Sequence, residues 1–173
     1  MTHRSMHSKI LASSLASVLA IPALLAGSVT LLSPSVAQAG VTEAACRIHA
    51  VEASREGDGT IPAELGFLAD QLQAPEFARW RGFRLLGSKD YQLEVGKAID
   101  QKFKSGHNVK LTLLGGEKDK LELHTKLARG NTSLVDMDFM VGSNQIMLIP
   151  VRRGDGAIIF AYRVGDPERY GVA

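Results

Sequence analysis

Between Gly82 and the C-terminus apolar residues recur at alternate positions, and clusters of glycine, asparagine and serine interrupt them about every ten residues. Val109-Lys110-Leu111-Thr112-Leu113 and Leu121-Glu122-Leu123-His124-Thr125-Lys126-Leu127 are the clearest runs. In the segment Val135 to Val141, alternation sends Val135, Met137, Phe139 and Val141 inward and both Asp136 and Asp138 outward. Ile146 to Val151 and Ala157 to Val164 are almost continuously apolar, which predicts central strands or strands covered on both faces. The punctuation falls at Gly87-Ser88, Ser105 to Asn108, Gly115-Gly116, Arg129 to Asn131, Gly142 to Asn144 and Arg153 to Gly156. An earlier strand is predicted at Cys46 to Val51, with Cys46, Ile48 and Ala50 on one face. The chain is therefore expected to be mainly β, an antiparallel β-sandwich or partly closed barrel of about 7–9 short strands.

One stretch has helical spacing instead. Leu65, Leu68, Ala69 and Leu72 form a single apolar stripe, with Thr60 as a candidate N-cap and Pro75 as the stop. This predicts one short N-terminal α-helix, placed over an open end or edge of the β structure. The octet Phe77-Ala78-Arg79-Trp80-Arg81-Gly82-Phe83-Arg84 follows and holds the chain's one tryptophan. Interleaved rings and cations suit stacking on a ligand. The three-residue recurrence of Phe77, Trp80 and Phe83 suits a hydrophobic clasp between helix and sheet, with Arg79, Arg81 and Arg84 outward, and that is the reading adopted.

Residues 1–39 contain no acidic residue. Arg4 and Lys9 precede an apolar run from Ile10 to Leu32, and Ala37-Gln38-Ala39 presents small residues at cleavage-site spacing. The expectation is a signal peptide cleaved after Ala39, leaving residues 40–173 as a single exported β-rich domain beginning at Gly40, periplasmic or secreted. An uncleaved signal would anchor the same domain in a membrane.

Removal of Arg4 and Lys9 changes the charge picture. The whole chain has 20 Lys plus Arg against 18 Asp plus Glu, so the exported part is neutral and has no basic footprint for nucleic acid. Cys46 is the sole cysteine, which excludes an intrachain disulfide and leaves three readings: a buried small hydrophobe, an intermolecular crosslink or a lipid-modified residue.

The order of elements carries a resemblance. It runs from the early strand through the Leu-x-x-Leu-x-x-x-Leu helix to Pro75-Glu76-Phe77, Trp80, Phe83, Leu85 and Leu86. Leu93-x-x-Gly96, Val109-x-Leu111-x-Leu113, Val141-Gly142 and Gly156-Ala157-Ile158-Ile159 complete it. This resembles a group of small signal-peptide-bearing proteins of unknown function from myxobacteria and related delta-proteobacteria, over Ile48 to Val164. The resemblance implies an exported β-rich domain and carries no catalytic residue across.

Candidate chemistry is sparse. His49, His107 and His124 are widely spaced, and residues 40–173 contain no H-x-x-x-H, H-x-H, G-x-S-x-G, S-x-x-K or phosphate-loop pattern. Asp136 and Asp138 share a strand face about 7 Å apart, a spacing that needs further ligands or an enclosing pocket before it does chemistry. No catalytic, metal or cofactor site follows, and a hydrolase would have to assemble its site in three dimensions. The expected function is non-enzymatic binding of a protein or polymer of the cell envelope through loops or an edge strand. A structural subunit of a homo-oligomer is a further alternative. Lys97, Lys102, Lys104 and Lys110 along one hairpin either meet an anionic polymer or guard an edge against aggregation.

Overall fold

In the computed structural model of the chain, the residues described are 40–165. The expected signal segment 1–39, including Ala37 and Ala39, lies outside the described residues, as does the tail 166–173.

Eight strands form two antiparallel four-stranded sheets. They are β1 (Glu43–Ser54), β2 (Gly82–Glu94), β3 (Ala98–Lys102), β4 (His107–Glu117), β5 (Lys120–Arg129), β6 (Thr132–Gly142), β7 (Ile146–Arg153) and β8 (Gly156–Gly165). One sheet has the order β2-β1-β8-β7 and the other β3-β4-β5-β6. The architecture is an open β-sandwich, mainly β as the alternation predicts, and not a closed barrel. The β2 and β3 edges are tied by a hydrogen bond from the Tyr91 hydroxyl to Gln101 Oε1, 2.7 Å.

The even-numbered residues of β1 and β8 fill the space between the sheets. Cys46, Ile48 and Ala50 meet Ile158, Phe160 and Tyr162 there, against Leu111, Leu123 and Leu127 of the facing sheet. Each fully buried leucine, isoleucine or phenylalanine here contributes about 1.5–3 kcal/mol of transfer free energy, so this layer is the main source of stability. A polar contact crosses it: the Tyr162 hydroxyl lies 3.1 Å from Thr125 Oγ1, with both residues buried. The pair satisfies two groups that would each be costly to bury alone.

The odd-numbered residues face the other way and, from Ala45 on and apart from Arg47 and Arg163, are buried. Val51 and Ala53 of β1, with Ile159 and Ala161 of β8, pack beneath Leu65, Leu68, Leu72, Phe77 and Trp80. The helical segment therefore covers the outer face of this sheet, not an open end or edge as expected from sequence. A third layer explains why residues 157–164 read as continuously apolar.

The helical segment itself departs from the expected α-helix. Ala63–Leu68 is a 3-10 stretch, and only the turn α1 (Ala69–Leu72) is α-helical, before a second 3-10 turn at Pro75–Phe77. In 3-10 geometry residues three apart eclipse, so Leu65 and Leu68 stack onto the sheet without a full α turn between them, and Gly66 weakens the α alternative. Thr60 is not the N-cap. Pro62 holds that position without a side-chain cap, and the Thr60 N–H donates to Asp58 Oδ1 at 2.8 Å.

Two expected turns are strand interior. Gly87-Ser88 lies within β2, whose pairing with β1 shifts register where Leu86 is extra. Gly115-Gly116 lies within β4, where a register shift leaves Leu114 unpaired against β5. Glycine marks a β-bulge in each case, so the punctuation is real and its meaning different. Arg153-Gly154-Asp155-Gly156 is the two-residue hairpin expected. Gly154 has φ +59 as its first central residue, a position that favours glycine.

Cys46 is 2% exposed within the sandwich core, and burial pushes its thiol well above the usual range. Of the three readings only the buried hydrophobe fits, since neither a partner thiol nor an acylating enzyme reaches it. The native chain should accordingly resist a thiol-specific chromogenic reagent and react stoichiometrically once unfolded in urea; rapid native labelling would show the core placement to be wrong.

Candidate functional site

The clasp closes over the helical side of the first sheet, and two of its rings line a large cavity. Phe77, Trp80 and Phe83 are 7%, 5% and 8% exposed and lie in one cluster over the β1/β8 face. Phe77 and Trp80 are tilted against each other with ring centroids 5.8 Å apart. Arg79, Arg81 and Arg84 are all exposed. Burial of the rings does not seal the segment from solvent, however. Beside it runs a trough of about 670 Å³, with Phe77 and Trp80 in its lining, Ile146, Leu148 and Pro150 of β7 on one bank, and Asp70 and Glu76 among the residues of the other.

β7 is an edge strand, paired to β8 alone. The trough thus lies between a helical segment and an unpaired strand edge, a geometry in which an extended peptide can add backbone hydrogen bonds. A further cavity of about 540 Å³ shares Gln71 and Ile146 with it and reaches Phe67 and Arg163. At the other end a smaller polar cleft of about 150 Å³ shares Arg79 and Trp80 with it, and gathers Arg55, Arg152 and the Gly154–Gly156 turn. Arg79 stacks its guanidinium over Trp80, 4.4 Å from the ring centroid.

This site is not visible in the sequence. Its parts are Arg55 after β1, Arg79 and Trp80 before β2, and Arg152 near the end of β7. They meet only because β1, β8 and β7 are neighbours and the β7–β8 hairpin ends beside the turn that follows β1. The usable signal is the continuous apolarity of 146–151, which marks a strand whose second face needs cover.

The predicted lysines do not form one patch. Lys102 and Lys104 line a cleft of about 250 Å³ between the β2 and β3 edges, together with Lys89. Lys97 is outside the strands and ion-paired to Glu94. Lys110 lies opposite Asp100 on one side and Lys126 on the other, and Lys126 in turn is 2.9 Å from Asp136. Its row on the outer sheet face therefore has both signs.

The three histidines occupy three separate settings. His124 lies on the outer face of β5 between the two aspartates, with Nε2 3.2 Å from Asp136 Oδ1 and Nδ1 2.7 Å from Asp138 Oδ1. Asp136 and Asp138 are indeed outward, and the Lys126 ammonium beside Asp136 holds its carboxyl below the usual range. Met137, expected inward, is 40% exposed on edge strand β6. His107, expected in a glycine turn, is the first residue of β4 and fully buried, in edge contact with the Phe160 ring. Burial lowers its pKa, with Arg129 and Arg153 acting in the same direction. Among the described residues no group of histidine, cysteine and carboxylates is arranged to hold a metal ion.

His49 is buried on the helical side of β1, its ring 4.4 Å from Phe67 and its Nδ1 2.6 Å from Ser88 Oγ. Its pKa is pushed down to about 4, chiefly by burial, with Arg47 and Arg163 adding repulsion and Asp90 opposing them. A depressed histidine pKa means that the unfolded chain binds more protons than the native one. Its contribution is complete above pH 6.5 and is lost as pH falls through about 4, with a slope of up to about 1.4 kcal/mol per pH unit. Urea midpoints measured between pH 7 and pH 4 should fall less steeply for His49→Gln than for the parent chain, and parallel profiles would refute the assignment.

No protein-family model matches the chain, and no curated protein or solved structure does either. Among the described residues no helix is long and apolar enough to cross a membrane.

Proposed function

We propose that the chain is an exported, non-enzymatic binding domain of the cell envelope, of the kind its sequence resembles, and that it holds an extended segment of a partner protein along β7. One observation carries this reading: the 670 Å³ trough combines an apolar lining with an unpaired strand edge. Apolar side chains of a bound strand would enter the trough while its backbone pairs with β7, the division of labour that gives strand addition both affinity and selectivity. Exposed Pro150 removes one donor from that edge and limits indiscriminate pairing.

The hydrolase alternative finds no support in the histidine positions, since His49, His107 and His124 sit on β1, β4 and β5 and none lines a cavity described above. The lysine cleft between β2 and β3 is a weaker place for an anionic polymer, because its cations stand on flexible stems.

Leu148→Glu tests the proposal by placing a charge on the trough bank. A protein retained from envelope extract by the parent chain and lost by Leu148→Glu, at unchanged melting temperature, supports it. Equal retention by both chains counts against it, and conversion of a parental dimer to monomer would make the occupant a second copy of this chain. Export itself is checked by N-terminal sequencing of the mature protein, expected to start at Gly40; a start at Met1 would replace the released domain with an anchored one.

A further inference from the structure

We infer that the arginine cleft at the end of the trough is a carboxylate site, and that the extended peptide lying on β7 carries an acidic residue where it reaches Arg55, Arg79 and Arg152. This rests on the β7 reading above and specifies the ligand it would take. Three guanidinium side chains line one cleft of about 150 Å³. Among the described residues none of the three has a carboxylate ion-pair partner, whereas Arg47, Arg84 and Arg153 each have one. Asp155 is the single carboxylate lining the cleft, so the excess is positive.

Like charges gathered around one cleft repel one another unless an anion is shared between them. Arginine is the side chain best matched to that task, because its planar donors meet both oxygens of a carboxylate at once. The cleft is also partly preorganised. Arg79 is held by its stack on Trp80, and the backbone of Gly154 to Gly156 is fixed by the hairpin. Neither cost is left to the moment of binding.

Charge along the trough gives the ligand a direction. Asp70 and Glu76 line the trough itself, whereas of the three arginines only Arg79 does, and Arg55 and Arg152 line only the cleft at its end. A uniformly acidic peptide would be repelled by the two carboxylates. A peptide with a neutral, apolar body and a carboxylate confined to the arginine end avoids that repulsion and places its one charge among the guanidinium groups. Arg79 and Trp80 line both cavities, so one continuous ligand touches both.

The test uses two pools of N-acetylated, C-amidated heptapeptides, randomised over neutral residues and ending in Glu or in Gln, applied to the immobilised full chain. The Glu-ended pool should be retained about tenfold better, the worth of one charge-assisted interaction. In Arg152→Gln the preference should fall towards one while the melting temperature holds, and Arg152→Lys should recover part of it. Equal retention of the two pools overturns the carboxylate site and leaves the β7 reading standing. Retention of neither pool overturns both. Inorganic phosphate and sulfate, titrated alone against Trp80 fluorescence, should give responses only at concentrations far above those of the Glu-ended pool; tighter binding of either would make the cleft a small-anion site and refute the peptide ligand.

Discussion

Trp80→Ala lowers the free energy of unfolding by about 3 kcal/mol or more, in the range measured for truncating a large buried aromatic. The indole is 5% exposed and belongs to the layer that joins the helical segment to β1 and β8. Truncation removes its contact with Phe77 and leaves a void beside the trough, which the surrounding backbone can close only in part. Its backbone N–H donates to Phe77 O at 2.9 Å, and that bond survives the substitution. The loss should therefore appear as a lower urea midpoint with native secondary structure retained. Arg79→Ala provides the contrast: it removes only the cation above the ring, worth about 0.5–1 kcal/mol at an exposed position. A Trp80→Ala loss below about 1 kcal/mol would mean that the ring is a surface contact after all.

The three rings of the clasp show how far the sequence could be read. Spacing of three between Phe77, Trp80 and Phe83 sufficed to place all three rings in one cluster, because a turn-like connector aims residues three apart to one side. Alternation was equally legible in β4, β5 and β6, where one face meets the core and the other meets water. It grouped Cys46, Ile48 and Ala50 of β1 on one face but could not say what covers the other, because β1 and β8 are apolar on both faces, and so the helical layer is expected from sequence at an end or edge. Local pattern cannot say which face of a doubly apolar strand meets a second sheet and which meets helix.

Glycines were legible as interruptions but not as kinds of interruption. Gly87 and Gly115 sit at or beside register shifts inside strands, while Gly154 makes the hairpin, and nothing in the dipeptides separates the two. The proposed site was the least legible feature. Arg55 and Arg152 are almost a hundred residues apart and acquire a shared meaning only through the strand order β2-β1-β8-β7. The aromatic and basic octet is read from sequence as a clasp, and three of its residues, Phe77, Arg79 and Trp80, also line the trough.

Gly57→Ala carries the other large effect, expected at about 3 kcal/mol of destabilisation from two sources. Its φ of +137 lies in a region that side chains rarely adopt, which costs on the order of 1–3 kcal/mol. A Cβ there would also stand 2.5 Å from the Arg81 carbonyl oxygen and 2.8 Å from Gly82 Cα, both backbone atoms that cannot rotate away. The turn after β1 is laced to the start of β2 at this point: Arg81 N–H donates to Ser54 O at 2.8 Å, and Gly59 N–H donates to Arg81 O at 2.9 Å. Pushing the two backbones apart must stretch those bonds, and overpacking of this kind costs about 1–3 kcal/mol. Gly59→Ala separates the two sources, since Gly59 has φ +88 but a Cβ added there would meet nothing within 4 Å; it should lose only about 1 kcal/mol, from backbone strain alone. Arg55 lies in the displaced turn, so Gly57→Ala should also weaken the preference for Glu-ended peptides, while Gly59→Ala should leave it intact. Equal destabilisation by the two substitutions would mean that strain, and not the contact with Arg81 and Gly82, is what makes Gly57 a glycine.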